Sequence, residues 1–502
     1  MNRHRYTQKL ILCFFFLLYT LSVEAQIERD MQWLIGYERA YPNTEYGTLL
    51  DFSNDTLRLE KFAKLLPNTT GHSQICDSEG KILLYTDGCN LANVNNEYLI
   101  NGLDITSDFL ASEYCQTLGS PISQSIMILP IPNRPNRYCM FNYNLEILDL
   151  DTSIYTNSVV ATPTKLYFHE IDMSETPGEV IEKKTIVLSD TLTFGNMQAV
   201  RHANGEDWWL VLPEGLSNCY YFILVDENGF HTPFKQCIGQ KWSERDWTGM
   251  VTFSPNGKTY ARFDPYHGLN IFDFDRCKGE LSNPLHIPID SAYVGGLAFS
   301  ASSRFLYVTT SWEVYQFDMQ AEDIAASKTL VAEYDGFVAF APTNFYQAKL
   351  APDNKIYMAG TSSSRYLHVI NYPDRKGVAC DVAQHSLKIP SNHAVGLPNT
   401  PHYRLGKAEE FCEEIVNTKE IRKQTSIFEL FPNPASQSFQ IKTNNTLKKQ
   451  IVIRDVSGKV VYEIESNDTS VQISLDQVGV FYCSLFYEDG RVKTQKIVFL
   501  PK

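Results

Sequence analysis

Apolar and polar positions alternate along VTFSPNGKTYARFD (251–264), on either side of a Pro-Asn-Gly turn. A period of two around a tight turn predicts an antiparallel hairpin. LAFSASSRFLYVTT (297–310) and AKLAPDNKIYMAGT (348–361) repeat the plan, and QAVRHANGEDWWLVLP (198–213) and SQICDSEGKILLYTDG (73–88) are divergent copies. A third strand follows each hairpin and ends in an acid or amide. These ends fall at Asp172, Asp226, Asp275, Asp318 and Asn371, spaced 54, 49, 43 and 53 residues apart. Such a residue predicts an Asx turn into a fourth strand. Four strands in every ~40–50 residues is the signature of a β-propeller. Six units begin near residues 72, 122, 196, 248, 294 and 344. A seventh is expected from strands within 31–60, closed by a strand within 395–405, which would remove the exposed sheet edges. Seven blades are therefore predicted, with six and eight as alternatives, over residues 26–405. Helix is nearly absent; QAEDIAAS (320–327) offers at most one turn.

After Arg404 the alternation stops. Residues 406–427 are charged and aperiodic and read as a linker. A second all-β module then occupies 428–502. FQI (439–441), QIVIRDV (450–456), KVVYEI (459–464), VQISL (471–475), VFYCSLFY (480–487) and KIVFL (496–500) alternate as half-buried strands. Its size and strand number predict a small immunoglobulin-like β-sandwich.

The first 25 residues read as an export signal. Arg3, Arg5 and Lys9 precede the apolar run LILCFFFLLYTL (10–21), and Val23-Glu24-Ala25 offers a cleavage site between Ala25 and Gln26. Leu12 beside Cys13 argues against a lipoprotein signal. No segment approaches the ~20 apolar residues of a membrane-spanning helix, so no transmembrane anchor is expected. Of the 502 residues, 26–427 carry 32 basic against 49 acidic side chains, a net charge of −17. Such a surface disfavours nucleic acid and anionic membranes as partners.

Ten of the 11 cysteines lie beyond the signal, and none stand as CxxC. In CYYFILVDENGFHTPFKQC (219–237) a turn at Glu227-Asn228-Gly229 would pair Asp226 with Phe230. That register sets Cys219 opposite Cys237, within disulfide reach. No other pairing is specified.

The C-terminal module resembles the type A sorting domain of the type IX secretion system of Bacteroidota. Its opening phrase is Phe431-Pro432-Asn433-Pro434-Ala435, with Phe431 in place of the more usual tyrosine. Asp455, Gly458, Lys459 and Val461 match the middle phrase; Leu475, Gly479 and Phe481 the late one; Lys496-Ile497-Val498 the closing strand. The resemblance implies handling by the secretion machinery, passage across the outer membrane, removal of the module, and release or surface attachment. EGKILLYTDG (79–88), FSPNGK (253–258), APDNKIYMAG (351–360) and GLPN (396–399) are similar to phrases of exported Bacteroidota propellers, distantly related to lactonase-type and WD-type propellers. That resemblance implies a fold and no single activity.

Nucleophile elbows, HExxH, P-loop, GxGxxG and EF-hand patterns are lacking. Arg201-His202 with Asp207-Trp208-Trp209 has the residue types of a sugar platform, but packing between blades is the stronger reading of these aromatics. His72, Gln124, Gln198, Thr248 and Gln347 start the innermost strands and are candidates to line the channel, where propellers bind ligands. No cofactor is predicted. Asp264, Asn270 and Asp273 offer oxygen ligands to a divalent cation such as Ca2+, although carboxylates on strand edges are more often solvated. Three functions stay open: a non-catalytic module binding glycan or a surface protein, which is favoured; a metal-dependent lactonase-like or other hydrolase; and a structural component of an outer-surface assembly.

Overall fold

The computed structural model describes residues 29–40, 44–54, 56–106, 108–115, 117–148, 160–242, 248–289, 293–408, 412, 428–443, 448–455, 459–487 and 492–500. The signal-cleavage pair Ala25 and Gln26 and the motif residue Gly458 lie outside them. The chain divides into two compact units, Met1–Cys412 and Glu413–Lys502. Both are all-β.

The first unit is a succession of antiparallel strand groups. The first group is Gln32–Ala40, Thr44–Asp51 and Arg58–Lys64; the second is Ser73–Cys76, Ile82–Thr86 and Leu91–Asn93. The third joins Ile126–Pro130, Arg137–Tyr143, Lys165–Asp172 and Glu179–Ser189; the fourth Gln198–Arg201, Trp208–Pro213, Cys219–Asp226 and Phe234–Cys237. The fifth runs Met250–Phe253, Thr259–Asp264, Gly268–Asp275 and Glu280–Ile287; the sixth Gly296–Phe299, Phe305–Thr309, Glu313–Asp318 and Thr329–Glu333. The seventh is Ala348–Leu350, Ile356–Met358, Ser364–Ile370 and Val382–His393, and it joins the first group at Tyr37 and Asn392.

Burial falls from the first strand of a group to the fourth, and composition dictates it. SQIC, QAVR and GLAF are buried on both faces, whereas FKQC and TLVAE alternate or face water. Each group packs on the next through a shared core. Phe263 and Leu269 of the fifth meet Leu297 and Leu306 of the sixth, and Tyr307 of the sixth meets Ile356 and Met358 of the seventh. Tyr357 of the seventh packs with Trp33 and Leu50 of the first, and Leu34 of the first with Tyr85 of the second, so the succession returns to its start. A fully buried side chain of this kind contributes about 2–3 kcal/mol.

The acids ending third strands make Asx turns at four of the five positions. Asp172, Asp226, Asp275 and Asp318 accept from the backbone N–H two residues on, at 2.9, 2.7, 2.8 and 3.2 Å. Asn371 instead donates its side-chain amide to Asp381. Two sequence expectations change. The turn after Asp226 holds two residues, so Asp226 pairs with Gly229 and Val225 with Phe230. Thr232-Pro233 then supplies the residue that restores the register, and Cys219 faces Cys237 with Cα atoms 3.9 Å apart in a disulfide. Residues 395–405 form no closing strand. Pro398 and Pro401 lack the N–H groups a ladder would need.

In the second unit, Phe428–Phe431, Phe439–Thr443 and Ser470–Ile473 form one sheet. Val460–Ser466, Lys449–Asp455, Gly479–Tyr487 and Val492–Phe499 form the other. Phe439, Ile441, Ile453, Phe481 and Leu485 fill the core between them.

Candidate functional site

Residues 396–408 form a strap across the first strands of the first unit. It is built to approach closely: a Cβ at Gly396 would stand 2.1 Å from the Thr70 carbonyl oxygen. Its backbone N–H donates to Thr69 O at 2.9 Å, and that of Leu397 to the Gln347 side chain at 2.7 Å. Asn399 is the knot. Its side-chain N–H groups reach Ile126 O and Met197 O at 2.9 and 3.0 Å. Its backbone N–H reaches His72 O at 3.0 Å, and its carbonyl accepts from Ser73 Oγ at 2.7 Å. One residue thus ties the second, third and fourth groups together. Lys349 Nζ donates to Thr400 O at 3.0 Å and the Tyr403 hydroxyl to Ile128 O at 2.8 Å. Beyond that point Arg276 holds Gly406 O at 2.6 Å, Ala408 N–H meets Ala203 O at 2.9 Å, and Cys412 is bonded to Cys277.

Replacing Asn399 with Ala would strand two buried carbonyls and remove the side chain that satisfies them. At roughly 1–3 kcal/mol for each orphaned buried group, the cost should reach about 4 kcal/mol. Chemical denaturation of N399A against the parent measures it, and a midpoint unchanged by the substitution would dismiss the knot.

The channel candidates converge on this strap unevenly. Gln124 reaches across to Val251, donating to its carbonyl and accepting from its N–H, both at 2.9 Å. Gln347 donates to Ser123 Oγ at 2.8 Å while accepting from Leu397. Gln198 accepts from Ala199 N–H and stands 3.4 Å from Asn399 Oδ1. These three amides are occupied by the protein itself. The His72 ring is buried, with neither nitrogen partnered among the described residues. Burial pushes its pKa well down, and His393, Lys64 and Lys349 push the same way. Thr248 is half-buried, with its hydroxyl unpartnered among the described residues and its carbonyl accepting from Gly295. A cavity of about 80 Å³ remains between the strap and the first strands.

At the strap's outgoing end a larger cavity, about 590 Å³, opens between the turns at 131–137 and 204–206 and residues 403–407. Six basic side chains line it against one acid, Glu206. Arg134 and Arg137 share Glu170, Arg137 also pairs Asp172, and Arg404 pairs Asp30. Burial raises the Asp30 carboxyl and lowers Lys349 to about 8, so desolvation outweighs their mutual attraction. Arg29 donates to Tyr138 Oη and Cys76 O, at 2.8 and 3.1 Å. Arg201, only 3% exposed, lies 4.0 Å over the Trp208 ring and donates to Glu206 O. Burial draws its guanidinium down to about 10, and Arg29 and Arg276 add to the shift. It is still a full cation at neutral pH.

The Trp pair does not offer a sugar platform. Trp208 and Trp209 are buried, and Trp209 Nε1 donates to Arg276 O. The proposed cation trio does not converge either. Asp264 Oδ1 is taken by His267 and by Tyr266 N–H, and Asp273 is bonded by Asn283. Asn270 and Asp273 lie three residues apart on one strand, facing opposite sides of the sheet. Among the described residues, no group of three or more His, Cys, Asp or Glu stands where it could hold a metal ion.

In the second unit Phe431, Pro432, Asn433 and Pro434 are exposed. Asn433 binds the closing strand, donating to Lys496 O at 2.8 Å and accepting from Val498 N–H at 3.0 Å. Asp455 accepts the Lys459 N–H at 3.1 Å, and Gly479 holds φ at +148°. The motif is therefore a surface phrase locked to the last strand.

Sequence reading missed the strap, the arginine cavity and two bridges, Cys89–Cys115 and Cys277–Cys412. The closely spaced prolines of GLPNTP after the last repeat were the available signal for the strap.

No curated protein sequence matches the chain. Among solved structures it is similar to PorZ, a surface component of the type-IX secretion system of Porphyromonas gingivalis, at 12% identity and a TM-score of 0.31, covering 92% of this chain and 64% of that one. It is also similar to the extracellular domain of a one-component-system candidate from B. thetaiotaomicron (9%, TM-score 0.35, 94% and 56%). A 6-phosphogluconolactonase candidate from Bacteroides fragilis gives 10%, 0.35, 74% and 97%. The chain thus spans less than two thirds of the first two, and TM-scores this low do not establish a common fold. Among the described residues no helix is long and apolar enough to cross a membrane. Residues 429–499 match the family described as Secretion system C-terminal sorting domain, and the chain is a substrate of the type IX secretion route, sent to the cell surface or the medium.

Proposed function

We propose that the exported protein is a non-catalytic binding module: a seven-bladed β-propeller followed by an immunoglobulin-like sorting sandwich, with its ligand site in the arginine-lined cavity. The signal peptide occupies 1–25, the propeller 26–405 and the sorting module 428–502. The linker starts after Cys412 rather than at 406, because Ala408 and Cys412 are fastened to the first unit. The cyclic sharing of core clusters and the burial gradient from first to fourth strand support the propeller reading.

One observation carries the binding reading. The strap fills the middle of the first unit and engages the glutamines there, while a cavity of about 590 Å³, within the usual range of ligand pockets, is left open at its end. A thermal-shift panel on the full chain, with mono- and polysaccharides, lactones, Ca2+, Mg2+ and chelator, tests it. A ligand at ~100 times its dissociation constant stabilises by about 2.7 kcal/mol. Saccharides should shift the transition and chelator should leave that shift intact. A shift with lactones that chelator abolishes would favour the hydrolase, and self-association without any ligand shift would favour the assembly component.

A further inference from the structure

We infer that this cavity takes an acidic saccharide, with Arg29 and Arg201 supplying the counter-charge for its anionic group. The inference rests on the binding reading and adds the ligand's chemistry.

Arg201 is nine-tenths buried, and burying a cation is costly unless a partner compensates it. Among the described residues no carboxylate forms an ion pair with Arg201 or Arg29, although Asp207 attracts the Arg201 guanidinium from beyond ion-pair distance. Their contacts are the Trp208 and Tyr138 rings, the Tyr138 hydroxyl and backbone carbonyls. Arg29 and Arg276 both depress the Arg201 guanidinium, so positive charge is concentrated here on a chain of net charge −14. An oxyanion entering the cavity would meet planar donors suited to bidentate recognition. The walls combine turns and the strap with the ends of three strands, at Pro130, at Arg137 and Tyr138, and at Arg201. Asn136, on the turn between the first two strands of the third group, brings a side-chain amide suited to a hydroxyl, while the Asn133 amide beside it donates to Glu206 at 3.3 Å. Charge, concavity and the Asn136 amide together fit a small polyhydroxylated acid.

The cavity also has a place where it can be closed without disturbing the fold. Gly406 is exposed on its wall, and a Cβ there would meet nothing within 4 Å. Gly406→Trp should block the cavity, because the contact to Arg276 uses the Gly406 backbone carbonyl.

Calorimetric titration of the full chain with trigalacturonate, maltotriose and sodium sulfate provides the test, near-UV circular dichroism checking each variant's fold. Trigalacturonate should bind and maltotriose should not. Arg29→Gln should weaken the acidic trisaccharide at least ~10-fold, the share of one charge-assisted contact, and G406W should abolish binding. Equal binding of both trisaccharides, lost in G406W, overturns the acidic assignment and leaves the binding reading standing. Sulfate binding as tightly as trigalacturonate overturns the saccharide assignment in favour of a plain anion site. Trigalacturonate binding that G406W does not touch removes both the inference and the cavity as the ligand site. Failure of all three probes to bind overturns the inference, and the saccharide panel then decides the wider reading separately.

Discussion

Acidifying the full chain from pH 7.5 to 5.5 should cost its first unit about 3 kcal/mol of stability or more. Three fully buried histidines drive the loss: burial brings His169 and His393 down to about 3 and His368 to about 4. Two of them are held neutral by their partners. Nδ1 of His368 accepts from His385 N–H at 3.0 Å while Nε2 donates to Asn344 O at 3.0 Å, and His169 bridges Lys184 N–H and Asn142 Oδ1 in the same way. Those roles follow from the partners present. A proton on Nδ1 would turn an acceptor into a donor facing an N–H group.

The folded-state pKa values lie below the unfolded value of about 6.5, so the unfolded state takes up protons first as pH falls. Stability is full above pH 6.5 and is lost progressively toward pH 4. At pH 5.5 each histidine contributes a loss of about 1.4 kcal/mol. His72 and His402, whose rings burial also depresses, add in the same direction. Asp87 opposes them: burial lifts its carboxyl to about 6, so acidification relieves a desolvated charge and returns roughly 1 kcal/mol. Guanidinium denaturation at pH 7.5, 6.5 and 5.5 reads the slope, and His368→Gln should flatten it by about a third. A midpoint independent of pH over this range would contradict the buried-neutral assignment.

Cutting the Cys277–Cys412 bridge should destabilise the first unit by about 5 kcal/mol, more than cutting either of the others. The bridge spans 135 residues, against 26 for Cys89–Cys115 and 18 for Cys219–Cys237. By chain entropy alone the two shorter loops contribute about 3 kcal/mol each. The long bridge also anchors the strap's outgoing end, where Arg276 holds Gly406 and Ala203 meets Ala408. Denaturation of C412S beside C237S measures the difference. Equal or smaller loss in C412S would mean that the strap is held by its hydrogen bonds and that the bridge adds little. The four remaining cysteines, Cys76, Cys139, Cys380 and Cys483, are buried and unbridged, so an even count did not imply complete pairing.

What the amino-acid order determined by itself is the part of this protein whose physics is local. Alternation with a period of two sets the strands and the buried face of each, as in Phe481, Cys483 and Leu485 against exposed Tyr482. An acid two residues before a backbone N–H sets the turns at Asp172, Asp226, Asp275 and Asp318. The sorting phrase is legible as a contiguous motif, Phe431-Pro432-Asn433-Pro434-Ala435, although only the fold brings Asn433 onto Lys496 and Val498 of the closing strand. Tertiary structure alone decided the rest. Leu397 to Ala408 has no periodicity, and its partners are side chains and carbonyls at Gln347, Ile126, Met197, Ile128 and Ala203. Whether it adds a strand or crosses the first strands depends on where those carbonyls come together after the groups have packed. Cys277 and Cys412 are opposite one another only because the strap ends there. The arginine cavity gathers Arg29, Arg137, Arg201 and Gly406 from four distant segments. Contacts between residues hundreds of positions apart leave no pattern along the chain, and the packing of the strand groups brings them into one place.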